Sequence, residues 1–222
     1  LIEPDEQKFY SEKIIYLPDT YQPNENYKKI SSSIVKKDTF GLPEDKFIFC
    51  CFNSHQKINP MIFDAWIHIL NNTENSILWL LKDNKFSQDN LKSLIKKNGI
   101  DPNRLIFAEH LKIEDHLQRI KFADLFLDTF PYNAHTTCSD ALRVGIPVLT
   151  LKGNSFASRV AASLLNTISL DELIVTNIED YKKLAIKIYN EKSYLNEIKK
   201  KIAINKKDSN LFKTEIYTKN IE

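Results

Sequence analysis

Phe47-Ile-Phe-Cys-Cys-Phe52, a short apolar run, is followed by a polar loop and then by Asn59-Pro60. An apolar run of this length between polar residues is typical of a strand that is buried on both faces of a sheet. Asn59 is a good N-cap, and Pro60 suits the first position of a helix. The stretch therefore predicts a strand, a loop and a helix, which together are the repeating unit of a parallel α/β sheet.

The same alternation continues along the chain. Further strands are predicted at Ile77–Leu81, Arg104–Ala108, Leu125–Asp128, Val148–Leu151 and Leu173–Val175. Helices are predicted between and after them, including Glu114–Phe122, Thr136–Val144, Ser155–Leu165 and Lys192–Ile202, and Gly99 and Gly145 are expected to end two of the helices. Residues 46–222 therefore predict an α/β fold with a doubly wound, mostly parallel six-stranded sheet. Residues 1–45 are expected to form a lead-in segment, in which Asn24–Thr39 is polar and exposed.

Composition argues against several classes of protein. The 222 residues carry 31 Lys+Arg against 29 Asp+Glu, and a net charge of +2 does not indicate a nucleic-acid-binding protein. No apolar run approaches the ~20 residues that cross a bilayer, so no membrane span is expected. The three cysteines form no Cys-x-x-Cys pair, which argues against a zinc site and favours a reducing, cytoplasmic compartment. Leu1–Tyr10 lacks the apolar core of a signal peptide, and the chain is expected to be a piece of a longer protein.

The four glycines form neither a Gly-x-Gly-x-x-Gly nor a Walker motif, so any phosphate must be bound without a glycine-rich loop. In an open parallel sheet, ligands bind beyond the carboxyl ends of the strands. Lys57 follows the first strand and suits an anionic oxygen ligand, although its position equally fits a surface lysine. His116 and Arg119 are three residues apart in the helix after the third strand, and share a face. They could stack on a planar base, or be exposed polar residues of an amphipathic helix.

His135-Thr136-Thr137, after the fourth strand, is the most informative cluster. It opens a predicted helix, whose free N–H groups and partial positive charge favour a phosphate, and its hydroxyls and imidazole add side-chain donors. It therefore predicts a diphosphate site. Thr137-x-x-Asp140 also has the form of a capping box, and helix capping would explain these two residues without a ligand. Arg159, after the fifth strand, either reaches the same cleft or pairs with a surface acid.

These loops lie within longer sequence segments, and each whole segment can be compared with those of known families. They include Tyr16-Leu-Pro-Asp-Thr-Tyr-Gln-Pro23, Phe49-Cys-Cys-Phe-Asn53 with Lys57-Ile58, Leu127-Asp-Thr-Phe-Pro-Tyr-Asn-Ala-His-Thr-Thr137 and Ser155-Phe-Ala-Ser-Arg-Val-Ala-Ala-Ser163. In this order, the segments resemble glycosyltransferase family 41, the O-GlcNAc transferases and their bacterial Spindly-like relatives. The resemblance implies the C-terminal, nucleotide-sugar-binding Rossmann-like lobe of a GT-B glycosyltransferase. It also implies transfer of a sugar with inversion, from a donor such as UDP-GlcNAc to Ser or Thr of a protein acceptor, without a metal or other cofactor.

The resemblance assigns donor-binding roles by matching position. The phosphates are assigned Lys57, which would also neutralise the leaving group, and the helix-start cluster His135, Thr136 and Thr137. The ribose hydroxyls are assigned Asp140. The nucleobase is assigned the Leu111 backbone, His116 and, nearby, Arg119.

Other parts of the resemblance concern partners and alternatives. The family's N-terminal catalytic lobe and its tetratricopeptide repeats are expected outside this chain, and no general base is assigned. Ser54-His-Gln56 and Arg143 depart from the residues usual in the family, which leaves the acceptor side and the sugar pocket open. A nucleotide-sugar-binding module without catalysis is one alternative reading. An Asn-glycosylating or fucose-transferring relative is another.

Overall fold

A computed structural model gives the structure of the chain and describes residues 1–25, 28–32 and 35–222. Six strands form one sheet in the order β3-β2-β1-β4-β5-β6, and each pair of neighbours is parallel. The strands are β1 (Phe47–Cys51), β2 (Ser76–Leu81), β3 (Leu105–Ala108), β4 (Leu125–Leu127), β5 (Val148–Leu151) and β6 (Ile174–Val175). The doubly wound α/β fold predicted from the alternating pattern is confirmed.

Eight α-helices flank the sheet within the described ranges. They are α1 (Pro60–Asn71), α2 (Lys85–Lys97), α3 (Ile113–Ile120), α4 (Thr136–Arg143), α5 (Val160–Thr167), α6 (Ile178–Asn190), α7 (Lys192–Asp208) and α8 (Thr214–Ile221). Helix α1 packs against α6, and α4 packs against α3, α5 and α7. Helix α8 has no counterpart in the sequence prediction.

Local signals set most of the helix ends. The side chain of Asn59 accepts from the Ile62 N–H at 3.1 Å, as its N-cap position predicts. Gly145 follows α4 with a φ of +89°, a conformation that residues with a Cβ rarely adopt.

The predicted helix Ser155–Leu165 is wrong at its start. Ser155 caps a separate 3-10 turn by accepting from the Ser158 N–H, and α5 begins only after this turn.

The lead-in segment packs on the lobe rather than standing apart from it. Tyr217 in α8 donates its hydroxyl to the Tyr21 carbonyl at 2.8 Å, and the Gln22 amide donates to the Ser139 hydroxyl in α4 at 3.2 Å. Asn24 is 6% exposed, which contradicts the expectation that residues 24–39 are all exposed. Its side chain is bonded to Gln22, so its polar groups are satisfied inside the fold. The same expectation also covered residues 26, 27, 33 and 34, which lie outside the described residues.

Candidate functional site

The sheet order places the loops after β1 and β4 side by side. These two strands are neighbours at the centre of the sheet, and the chain runs outward from β1 to β3 before it returns to β4. Such a reversal is the point at which open α/β sheets bind ligands. The loop after β1 carries Lys57 and the loop after β4 carries His135, so the fold brings two residues of the predicted phosphate site to one edge.

Lys57 ends a 3-10 turn, His55–Lys57, and points across to the loop after β4. Its Nζ donates to the Asn133 carbonyl at 2.9 Å and lies 3.8 Å from the centre of the Tyr132 ring. Burial lowers the pKa of Lys57, and the nearby Asp128 carboxylate opposes this shift. An ammonium has three donor hydrogens. The bond to Asn133 therefore leaves capacity for an anionic ligand.

His135 is held beside Lys57 by two aromatic residues. Its Nδ1 lies 3.1 Å from the Tyr21 hydroxyl, and its ring meets the Tyr132 ring edge-on, with the centroids 5.1 Å apart. Burial lowers the pKa of His135, and the Lys57 ammonium lowers it further. The imidazole is therefore neutral at pH 7.

Helix α4 begins immediately after His135. The N–H groups of Thr136 and Thr137 form no hydrogen bond within the described part of the chain. Unpaired N–H groups and the helix dipole together make the start of a helix favourable for an anion. The ammonium of Lys57 lies at the same edge of the sheet, so positive charge from two different loops converges there.

The capping interpretation of Thr137 and Asp140 is wrong. His135 occupies the N-cap position of α4, and the helix has no side-chain cap. The Thr137 hydroxyl donates instead to Oδ1 of Asn53, in the loop after β1. The Asp140 carboxylate is 4% exposed and accepts from Nζ of Lys28, in the lead-in segment, at 2.7 Å. Both side chains are thus used in contacts with distant parts of the chain, which a local spacing rule cannot detect.

His116 and Arg119 share a face of α3, as predicted, but they differ in exposure. Arg119 is 1% exposed, and its guanidinium donates to His116 Nδ1 from Nη2 at 2.9 Å and from Nε at 3.1 Å. It also packs over the Phe52 ring, 5.2 Å from the centroid. Arg119 therefore orients His116 and does not itself present a face to a base. Burial and the Arg119 charge lower the pKa of His116 to about 4, so the ring is neutral and carries its proton on Nε2. Leu111, in the loop before α3, is 41% exposed.

Arg159 is engaged away from this edge. Its Nη1 donates to a Glu6 carboxylate oxygen and to the Leu1 carbonyl, both at 2.7 Å. It lines a cavity of about 520 Å³ between the lead-in segment and α5. The alternative in which Arg159 pairs with an acid is confirmed.

Sequence reasoning missed five residues of this edge: Tyr21, Lys28, Asn53, Asp128 and Tyr132. Four of them lie inside segments that carry the family resemblance, so the signal was present at the level of the segment. Lys28 lies outside those segments and gave no signal.

Comparison with known proteins decides the family. The model of Glycosyl transferase family 41 matches residues 22–221. The chain belongs to glycosyltransferase family 41. The resemblance read from the sequence segments is thereby confirmed.

Curated relatives agree with this family. A protein of Arabidopsis thaliana described as a probable UDP-N-acetylglucosamine–peptide N-acetylglucosaminyltransferase SEC is 35% identical, over 96% of this chain and 22% of the relative. A UDP-N-acetylglucosamine–peptide N-acetylglucosaminyltransferase of Caenorhabditis elegans is 33% identical, over 85% of this chain and 16% of the relative. The chain therefore spans about a fifth of the length of these relatives.

Solved structures agree with the fold. A mutant O-GlcNAc transferase of Thermobaculum terrenum superposes with a TM-score of 0.86 at 24% identity, over 99% of this chain and 42% of the other. WaaG, a glycosyltransferase involved in lipopolysaccharide biosynthesis, superposes with a TM-score of 0.67 at 17% identity, over 98% of this chain and 59% of the other. The chain has the α/β fold of a glycosyltransferase lobe.

Two other features are absent from the residues that the structure describes. No helix there has both the length and the apolar character needed to cross a bilayer. No three side chains of His, Cys, Asp or Glu in the same residues are grouped as metal ligands would be.

Proposed function

We propose that the chain is the donor-binding lobe of a protein glycosyltransferase, which transfers N-acetylglucosamine from UDP-N-acetylglucosamine to Ser or Thr of a protein acceptor. The observation that carries the proposal is the convergence of the Lys57 ammonium with the unpaired N–H groups of Thr136 and Thr137. A diphosphate has enough anionic oxygens to engage both groups together. The descriptions of the relatives support this donor and this acceptor class.

In the proposed reaction, the bond between the sugar and the donor diphosphate breaks, and negative charge develops on the leaving oxygen. The Lys57 ammonium and the α4 amides are held in place before this charge appears, which is the arrangement that stabilises a transition state. These groups supply the positive charge from the protein itself, and we extend the proposal to transfer without a metal. Inversion at the sugar carbon is part of the proposal and is supported by the family resemblance.

The nucleoside side of the proposed site lies at α3 and α4. His116 is held neutral by Arg119 and keeps a proton on Nε2 that a base carbonyl can accept. Leu111 offers backbone groups in the loop before it. Asp140 accepts from Lys28 through one oxygen, and its carboxylate has further lone pairs for ribose hydroxyls. We therefore include Lys28 among the residues that shape the ribose site.

We further propose that the general base and the acceptor groove belong to a second lobe, that tetratricopeptide repeats precede that lobe, and that the protein acts in the cytoplasm. The share of the relatives that this chain spans, 22% and 16%, supports the existence of further parts.

Calorimetric titration of the chain with UDP and GDP tests the proposed donor. UDP is expected to bind more tightly than GDP, and Lys57→Ala is expected to weaken UDP binding at least about tenfold, because a charged hydrogen bond to phosphate is lost. Lys97→Ala removes an exposed lysine from the end of α2, and is the control that should bind UDP like the wild type. A wild-type chain that binds neither nucleotide would refute the proposal.

Catalysis is tested separately in the protein that carries this lobe together with its partner lobe. With labelled donor, Lys57→Ala is expected to lower kcat by about 10²–10³, the usual effect of losing one pre-organised donor. Tight UDP binding without any transfer to protein would instead identify a non-catalytic nucleotide-sugar-binding module.

A further inference from the structure

The proposed phosphate site, at the ends of β1 and β4, lies next to a buried carboxylate that the proposed donor contacts do not use. Asp128 is 0% exposed and follows β4. Its Oδ1 accepts from the N–H groups of Thr129 at 2.7 Å and Ala134 at 2.6 Å, and from the Asn53 amide at 3.2 Å. Its Oδ2 accepts from the Thr150 hydroxyl at 2.7 Å. All four neighbours are donors, so the ionised carboxylate satisfies every one of them.

Asp128 fixes the orientation of the Asn53 amide. The amide nitrogen donates to Asp128 and also to Thr129 Oγ1, at 2.7 Å. The proton of that hydroxyl is itself donated to the Tyr132 carbonyl at 2.6 Å, so Thr129 Oγ1 acts toward Asn53 as an acceptor. The amide oxygen of Asn53 must then face the other way, where the Thr137 hydroxyl donates to it.

This orientation has a consequence for the phosphate site. A hydroxyl carries one proton, and the proton of Thr137 is committed to Asn53. The Thr137 side chain therefore has no hydrogen left for a donor phosphate. The N–H groups of Thr136 and Thr137, in contrast, are unpaired in the described chain.

We propose that Asp128 and Asn53 are positioning residues, which fix the loop after β4 and the first turn of α4 so that backbone N–H groups, and not the Thr137 hydroxyl, bind the donor phosphates. This inference rests on the proposed function and deepens it. Asp128 holds the loop through Thr129 and Ala134, and Asn53 ties that loop to α4 through Thr137. Lys57 bonds to the same loop at Asn133, so the ammonium and the helix amides share one support.

The ionisation of Asp128 agrees with this role. Burial raises its pKa to about 6, against the effect of the four donors. The group remains ionised at pH 7 and keeps the orientation of the amide. The ionisable groups that face it are Cys51 from β1, Lys57, Cys138 from α4 and Tyr181 from α6.

The test compares variants of the chain for binding of UDP and uridine, by ligand-observed NMR titration. Asn53→Ala and Thr137→Val each break the link to α4, and each is expected to weaken UDP binding about tenfold while uridine binding is unchanged. The double variant is expected to bind UDP no more weakly than either single variant, because both substitutions remove the same contact. Thr73→Val is the matched control. It removes a buried hydroxyl that bonds to the Ile69 carbonyl and to Ser76, before β2 and away from the carboxyl ends of the strands, and is expected to lower Tm without changing the ratio of UDP to uridine affinity.

Three results would overturn the inference. Asn53→Ala could leave UDP affinity unchanged while Thr137→Val lowers it, which would make the Thr137 hydroxyl a direct phosphate donor. The effects of Asn53→Ala and Thr137→Val could be additive. Thr73→Val could lower the ratio as much as Asn53→Ala, which would reduce the effect to general destabilisation.

Two further provisions keep the test decisive. If Asn53→Ala does not fold, Asn53→Ser takes its place, since it keeps a polar group near Asp128 and is too short to reach Thr137. A wild-type chain that binds uridine and UDP equally would refute the phosphate site of the proposed function, and this inference with it. If the wild type binds UDP more tightly than uridine and the Asn53 variant binds UDP equally well, this inference alone is refuted.

Discussion

Acidification should destabilise the protein through His116. The pKa of this imidazole is about 4 in the folded chain, against an ordinary value near 6.5, because the ring is buried and faces the Arg119 guanidinium. Between these two values the unfolded chain binds a proton that the folded chain does not. The stability that the neutral ring provides is therefore complete above about pH 6.5 and is lost as the pH falls toward 4. At pH 5 the loss amounts to about 2 kcal/mol.

Urea unfolding at pH 7 and pH 5, followed by circular dichroism, measures this loss. His116→Gln keeps an amide oxygen that can accept from Arg119 but cannot titrate, so the variant should lose about 2 kcal/mol less than the wild type over this interval. Asp128 has the opposite effect on stability, because its pKa is raised to about 6 and its protonation in the folded chain favours folding as the pH falls. This contribution is the same in the wild type and in His116→Gln, so it cancels when the two losses are subtracted. His68→Gln replaces an exposed histidine of α1 and serves as the control. Equal losses in the wild type and His116→Gln would refute the reasoning.

Three further predictions concern other contacts. Lys57→Ala should lower the free energy of unfolding by only about 1 kcal/mol in urea, because one hydrogen bond is lost. Because the pKa of Lys57 is lowered, the UDP affinity of the wild type is expected to fall at a pH below the ordinary lysine pKa, and calorimetry should find no such fall in Lys57→Ala. Lys28→Met should lower the free energy of unfolding by about 2 kcal/mol, because it leaves the Asp140 carboxylate buried without a cation. Adding Asp140→Asn should restore part of that stability. A Lys28→Met variant as stable as the wild type would contradict the pairing. Gly153→Ala should lower the free energy of unfolding by about 1–3 kcal/mol, because the added Cβ would lie 2.6 Å from Ser158 Oγ. An unchanged Tm would contradict this prediction and show that the turn at Gly153 can relax.

Most of the fold could be predicted because its signals are local. Apolar runs marked all six strands, Asn59-Pro60 marked the start of α1, and Gly145 marked the end of α4. Each signal acts within a few residues of the element that it shapes. The start of α5 was misjudged because Ser155 caps a short turn that the apolar periodicity does not distinguish from an α-helix.

The candidate site was less predictable because its contacts join distant segments. The loops that carry Lys57 and His135 were identified from the rule for parallel sheets, which is a property of topology. The partners of Thr137 and Asp140, in contrast, are Asn53 and a lysine of the lead-in segment. No spacing within one helix can encode such partners, and the local capping rule was therefore misleading.

The segment before β1 contacts several residues of the proposed phosphate and ribose site. Tyr21 touches the imidazole at the opening of α4, Gln22 reaches Ser139 one turn further, and Lys28 neutralises Asp140. A cut at residue 46, where the regular alternation begins, would therefore excise three of the neighbours that shape that site. The smallest fragment expected to bind a nucleotide at the proposed site therefore starts upstream of Tyr21.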